Sequence, residues 1–417
     1  MVRYILLLIS LAPLCFAAPK KNSNATHFSL DSLFSISSNW ELTPEAFEKT
    51  FTNSKIRGYR WLTKDRTRAI MSRQLYSSRK LQLVLGPEQV PVEEVLVDFE
   101  DGLLRVVTVS VYNRAESPKI SPKVFEERFN LLGEFINQTT SAHPQKRSAK
   151  PQQGLLTEGL FWRSRTSLAL LENNVGAKAG GELEFLRIRL AHPQAKSPLA
   201  KAILNSRGGA AINISSLRHS VTKDEEGNVY VKGLPMIDQG KKGYCVVASA
   251  QRLFEYYGVG VDMHQLAQIA DSDPDRGTSS LLMATELDAI DYRFKTRLDI
   301  LAMRSSQGGL YDVKSSRGSY IFGKKVPQKK FYTSIRSSIN EGIPLLWSLE
   351  VGLYPEEPKL LAQGGGGHMR TIIGYNDKKE HLIFSDSWGE GHEFKTMNMN
   401  DAFKATRGLF LLKPTTR

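Results

Sequence analysis

One cysteine carries the chemistry this sequence is equipped for. Residues 236–250 read MIDQGKKGYCVVASA, with Cys245 following a turn that holds Gly240 and Gly243. Beyond it Ala248, Ala250, Leu253, Phe254 and Tyr257 recur at helical spacing, and Gly258 closes the run. The spacing sets Cys245 at a helix N-terminus, where unpaired N–H groups and the helix dipole favour a thiolate. Lys241 and Lys242 add positive potential if they face the thiol. Gln239 stands six residues upstream. Its side-chain amide, with the Cys245 backbone N–H, is a candidate pair of donors to an oxyanion.

A nucleophilic thiol needs a base, and the base needs an orienting partner. The chain has eight histidines. His368 is singled out because it follows Gly364–Gly367, where missing side chains let a substrate backbone come close, and because it opens the strand-like run MRTIIGY. Residues 376–379 make a turn, and residues 381–386 (HLIFSD) read as the return strand. His368 lies nine residues before Asp377 and Asp386 nine after it. Residues equidistant from a hairpin turn are neighbours across the ladder, so the spacing brings Asp386 beside His368, with Trp388 placed to shield the contact. His264, His381 and His392 read as ordinary surface or core residues. No His-x-x-x-His pair or acidic cluster suggests a metal site, and neither a metal nor an organic cofactor is implied.

Composition bounds the rest. The 417 residues carry a formal charge of +13, with 41% hydrophobic and 24% charged residues, which is globular composition and enough length for two or three domains. Two cysteines exclude a disulfide-stapled framework. Residues 1–17 read as a signal peptide: Arg3, then an apolar run from Tyr4 to Phe16 too short to span a bilayer, then a small-residue cleavage site after Ala17. Removal of Arg3 and Cys15 with it leaves 400 residues, a charge of +12 and Cys245 as the one cysteine. An unpaired thiol in an oxidising, secreted or periplasmic setting invites a reason. No later apolar run reaches transmembrane length. The positive charge suits anionic surface polymers, lipid headgroups or acidic proteins as partners; no nucleic acid is expected.

The elements that must position these residues divide the chain. Residues 28–190 read as an α+β accessory domain of unknown role. It opens with a helix from Pro44 to Phe51 capped by Thr43. Strands follow over 74–85, 92–99 and 104–112, the last two joined at Asp101-Gly102. A helix over 122–137 is capped by Ser121, residues 139–154 form a basic loop, and strands cover 159–171 and 182–190. The dibasic Lys146-Arg147 in that loop is a possible processing site. Residues 191–228 read as a linker. Residues 229–417 form a second domain: the Cys245 helix, a helix capped by Asp262 and Gln265, helices over 280–290 and 331–340, and strands over 343–351, 369–375, 381–386 and 408–413.

Gln239-x5-Cys245 ahead of a helix, a glycine-preceded His368 opening a strand, and Asp386-Ser387-Trp388-Gly389 together resemble a papain-like cysteine peptidase. The Gln-x5-Cys spacing, the Cys–His–acid order and the Gly-Tyr-Asn-Asp hairpin most resemble the peptidase C39-like branch. The resemblance covers the C-terminal domain. It implies an α+β, papain-like fold there, with a helical part and an antiparallel sheet, preceded by the α+β N-terminal domain. It also implies Cys245 as nucleophile, His368 as base and acid, Asp386 as its orienting acid and Gln239 in the oxyanion hole. A protein or peptide would be the substrate. Lys241, Lys242, Tyr244 and the four-glycine run depart from the branch and bear on substrate preference. Two other outcomes use the same residues: transfer of the acyl group to an amine, and a papain-like protein that binds without catalysis.

Overall fold

The computed structural model describes residues 26–35, 38–54, 56–76, 81–148, 157–174, 182–204, 214–240, 243–270, 272, 280–316, 319–359 and 366–415. The expected export segment, Lys241, Lys242, Gly364 and Gly365 lie outside them.

Among the described residues the chain is α+β, built on two large antiparallel sheets. The first has eight strands in the order 145–148, 157–163, 168–174, 185–191, 103–113, 94–100, 68–72 and 60–61. Valines alternate with polar residues along 103–113, so one face buries Val107, Val109 and Val111 in the domain's core. The helix Pro122–Thr140 lies against this core through Phe125, Phe129, Leu132 and Ile136. Its N-terminus is set as the sequence suggests: the Ser121 hydroxyl accepts from Val124 N at 3.3 Å. The Thr43 cap does the same for Pro44–Thr50. That short helix drives Phe47 into a ring cluster of Phe51, Tyr59, Trp61 and Phe99, with centroids 4.9–5.9 Å away.

Three expectations for this half are corrected. The strand expected over 159–171 is two strands, Thr157–Arg163 and Leu168–Asn174, because Ser164 turns the chain by accepting from Thr166 N and Ser167 N. Of the run expected over 74–85 only Leu81–Leu85 is a described strand; the chain turns at 73–75, and the strand before it, Arg68–Ser72, was not expected. The basic loop carries an edge strand, Gln145–Ser148, paired with 157–163. Its Arg147 donates to the carbonyls of Ala202 and Ile203, so the dibasic pair is part of the fold.

The second sheet runs 221–223, 229–231, 366–376, 345–351, 406–414, 296–304, 310–316 and 319–325, with 381–385 added to 366–376 and 395–398 beyond it. The helices Cys245–Tyr256, Met263–Ala270 and Ser280–Ile290 pack on it around one core. All twelve residues of the Cys245 helix are buried. Ser249 on that helix donates to Met369 O at 3.3 Å, which docks the helix on the strand that holds His368. The segment expected to be a linker serves both halves. Helix Pro198–Leu204 sets Ala200 and Ile203 on Val106, Leu168 and Leu170 of the first sheet, while Val221–Lys223 and Val229–Val231 begin the second. Gly374 permits that start: a Cβ there would lie 2.5 Å from Val229 O and 2.6 Å from Tyr230 Cβ.

Phe47 is fully buried at the centre of its aromatic cluster. Phe47→Ala should lower unfolding stability by about 3–5 kcal/mol through lost burial and a residual cavity. Urea unfolding followed by tryptophan fluorescence measures it, and a loss under about 1 kcal/mol would show that the cluster collapses to fill the space.

Candidate active site

The structure brings Cys245, His368, Asp386 and Gln239 together. Cys245 is the first residue of its helix; the preceding Tyr244 contributes no side-chain cap to the first turn. The thiol is unpaired and 6% exposed. It is near enough to His368 to be among the groups that raise the pKa of the imidazole.

His368 sits on Gly366–Asn376 opposite Leu349 of the neighbouring strand. Its Nε2 lies 2.6 Å from Asp386 Oδ1, and both side chains are buried. With Nε2 engaged there, Nδ1 is the ring nitrogen left to act on a second group. The Trp388 ring stacks on the imidazole at 4.4 Å and 15°, covering the His368–Asp386 contact as the sequence suggests.

The route to this pairing differs from the symmetric hairpin expected. The turn spans 377–380, and the ladder pairs Asn376 with His381. A register shift between Ile372 and Gly374 then pairs Thr371 with Ser385. Continued by one residue, this register sets Arg370 opposite Asp386. His368 is two residues further along the same face and reaches the carboxylate diagonally.

Arg370 is therefore a member of the site. Its Nε lies 2.6 Å from Asp386 Oδ2, and its Nη1 donates to Glu356 Oε2 at 2.6 Å. Lys395 Nζ pairs with Glu356 Oε1 at 2.8 Å. All four side chains are at most 4% exposed. Lys395, Glu356, Arg370, Asp386 and His368 thus form a row of alternating charge leading from the interior to the thiol. Asp386 Oδ1 also accepts from Ser387 N at 2.8 Å. Burial disfavours the Asp386 carboxylate, but the charges of His368 and Arg370 and the Ser387 N–H hold its carboxyl well below the usual carboxylate range. Burial likewise disfavours a charged His368. Asp386, by charge and hydrogen bond, and then Cys245 outweigh it and raise the imidazole to about 9.

A second arginine ties the parts together. Arg252 lies seven residues, two helical turns, beyond Cys245 on the same side of the helix. Its Nε donates to Pro235 O at 2.8 Å, its Nη1 to Asp386 O at 2.9 Å and its Nη2 to Ser385 Oγ at 2.5 Å. One guanidinium thereby joins the cysteine helix, the segment before Gln239 and the segment holding Asp386. Burial lowers its pKa to about 10, with Asp386 first among the groups opposing that. Sequence reasoning missed both arginines. The available signal was a basic residue inside a largely apolar helix and another inside an apolar strand, and such residues are almost never buried unpaired.

Gln239 is 7% exposed. Its backbone N donates to Ser387 O at 2.9 Å, and the Ser387 hydroxyl donates to its Oε1 at 2.7 Å. Ser387 thus fixes the amide by its carbonyl end and leaves its orientation set for the N–H end to act as donor. His264 and His381 stand apart from this row, whereas His392 flanks it, its carbonyl accepting from Asp386 N at 2.8 Å. His264 lies 3.9 Å from Asp262 Oδ1 with its ring edge toward Tyr244. His392 meets Trp388 edge-on at 5.5 Å, and His381 pairs with Asn398 in the ladder.

Residues 231–409 match the model of the Peptidase_C39 like family. The match bears on the C-terminal domain, where it agrees with the resemblance carried by the sequence motifs. Among solved structures the chain is similar to xylellain, a cysteine protease from Xylella fastidiosa, at 15% identity over 50% of this chain and 92% of that one, with a TM-score of 0.23; a likeness of that TM-score carries nothing further. No curated protein matches the chain.

His368 binds its proton more tightly in the folded chain than as a free imidazole. The stabilisation from its pairing is therefore complete below about pH 6.5 and is lost as the pH rises through about 9. The Cε1 proton of His368, followed by NMR, should titrate near 9 in the wild type and below about 8 in Asp386→Asn, where the paired charge is gone. An unmoved titration would show that Asp386 does not carry the charge of the site.

Proposed function

We propose that the chain is an exported cysteine peptidase that cleaves peptide bonds through Cys245, His368 and Asp386, with Gln239 in the oxyanion hole. The observation that carries the reading is the buried 2.6 Å His368–Asp386 pair beside Cys245, which opens a helix and is among the groups that raise the imidazole's pKa. A histidine raised to about 9 is charged at neutral pH, and so can hold the nucleophile as one half of a thiolate–imidazolium pair.

The sulfur attacks the carbonyl carbon of the scissile bond. Negative charge moves to the carbonyl oxygen, where the Cys245 backbone N–H and the Gln239 amide can receive it. His368 Nδ1 passes its proton to the leaving nitrogen, the C–N bond breaks, and a thioester to Cys245 remains. Water then gives a proton to the now neutral His368 and attacks the thioester. The C–S bond breaks, the carboxylic acid leaves, and the thiolate is restored beside the imidazolium, which completes the cycle. Asp386 holds the ring in the orientation that both transfers need, and Trp388 keeps water from competing for that contact. Export is the reading of residues 1–17, and it makes Cys245 the one thiol of the mature chain. Sequencing the N-terminus of the protein recovered outside the cytoplasm tests it, with Ala18 expected first.

Cleavage of an unfolded protein substrate should fall by at least about a thousandfold in Cys245→Ala and in His368→Ala. Iodoacetamide should label Cys245 of the mature wild type well below pH 7, and His368→Ala should lose that labelling. Wild-type labelling that rises only near the free-thiol value of about 8.5, unchanged in His368→Ala and without cleavage, would leave a papain-like binding protein as the reading. Products extended by an added amine would assign acyl transfer to the thioester.

A further inference from the structure

The accessory domain does not stand off from the catalytic one. Arg60 Nη2 pairs with Asp238 Oδ2 across the boundary between them. Asp238 immediately precedes Gln239, is 8% exposed, and uses its other oxygen to accept from Gly240 N at 2.9 Å. It also forms an isolated antiparallel bridge with Trp388. On the far side of that bridge Gly389 adopts φ +84°, and a Cβ there would lie 3.3 Å from Arg60 Nη2 and 3.3 Å from Leu62 Cδ2. The same guanidinium therefore lies against both segments that frame the site: the Gln239 turn and the Trp388 cover.

Deeper in the boundary, Arg68 Nε pairs with Asp98 of its own sheet at 2.5 Å, while its Nη2 pairs with Glu255 of the Cys245 helix at 3.1 Å. Its Nη1 donates to Met236 O at 3.2 Å, at the start of the Gln239 turn. Arg187 pairs with Asp262, and Arg189 donates to Gln265 Oε1 at 2.9 Å, on the helix that follows the Cys245 helix. These arginines are nearly or fully buried. Withdrawal of the domain would leave Glu255 and Asp262 without these buried partners, a costly outcome. Beside Arg60 a cavity of about 270 Å³ opens between the domains, with Ile70 and Leu75 on one side and Gly240 and Trp388 on the other.

We infer that the N-terminal domain is a working part of the catalytic cleft, and that Arg60 is a positioning residue which sets the oxyanion turn through Asp238. This rests on the peptidase reading. An ion pair to Asp238 restrains the carboxylate that fixes Gly240 N, and with it the direction of the Gln239 amide. The amide matters when charge reaches the carbonyl oxygen, not when the thiol loses its proton. Arg60 should therefore affect turnover and leave thiolate formation alone.

Full-length wild type, Arg60→Gln, Arg60→Lys and Asp238→Asn test this on one peptide substrate, with iodoacetamide labelling and thermal unfolding in parallel. Arg60→Gln and Asp238→Asn should lose about ten- to a hundredfold in kcat, with KM within about threefold. Labelling of Cys245 at pH 6 should stay within about twofold of wild type, because alkylation develops no oxyanion. Arg60→Lys should recover most of the loss by restoring the charge. Unchanged kcat in Arg60→Gln overturns the inference while the peptidase reading stands. A parallel fall in kcat, labelling and melting temperature also overturns it, since Arg60 would then serve the fold alone. A wild type that neither cleaves nor labels at low pH overturns both.

Discussion

Everything in this site is arranged around one buried carboxylate. Asp386 has no exposure to water, and an ionised carboxylate in that setting persists only if its oxygens are met by charge and hydrogen bonds. His368 and Ser387 N meet Oδ1, Arg370 meets Oδ2, and Arg252 takes the residue's backbone carbonyl. Those requirements dictate the surroundings. Arg370 must itself be neutralised, which brings in Glu356, and Glu356 brings in Lys395. Pairs of this kind contribute little to net stability, but removing one partner is costly. Their effect is to leave one arrangement of strand, turn and helix in which each charge is matched, and that arrangement presents the imidazole to the thiol.

Arginine performs the same function on a larger scale. A formal charge of +13 reads from composition as a surface property, yet Arg68, Arg187, Arg189, Arg252 and Arg370 are all among the buried residues. A guanidinium has donors in a fixed planar fork, so one buried side chain can hold several separate segments at defined angles. Arg252 joins three segments within the catalytic domain. Arg68 joins two strands of the accessory domain to the cysteine helix and to the segment before Gln239. The two sheets are thus linked by directional contacts at the places where geometry has the greatest chemical consequence.

The sequence made much of the catalytic domain legible because its signals are local. Gln239, Cys245, His368 and Asp386 are close in space, and the helices at 245–256, 263–270 and 280–290 lie where caps and periodicity indicate. The hairpin register was harder to read. A four-residue turn and a bulge near Ile373 move the pairing so that Arg370, not His368, faces Asp386; neither device has a composition signature of its own. The strands at 296–304, 310–316 and 319–325 were not distinguished; 296–304 is placed by distant pairing with 406–414, and the other two then add to it in turn. Arg60, Arg68, Arg252 and Arg370 were invisible as site residues for a related reason. A charged side chain reads as solvated unless its partner is known, and the partners lie between 14 and 187 positions away.

The choice of an acid beside the histidine has a further consequence. A lone aspartate would draw the imidazole proton strongly and make it hard to release. Here Arg370 claims the second oxygen of the same carboxylate, so Asp386 remains paired whether or not His368 is protonated. In the alternating row the imidazolium is a terminal cation, and its proton can leave without exposing an unmatched buried anion. On the peptidase reading, this is the property that the reaction demands, since His368 must take a proton from sulfur, give it to nitrogen and take another from water. With the imidazole raised to about 9, His368 is charged at neutral pH and can balance a thiolate at Cys245. On the same reading, the charge that grows on the carbonyl oxygen is met not by the buried charge row but by the turn that holds Gln239.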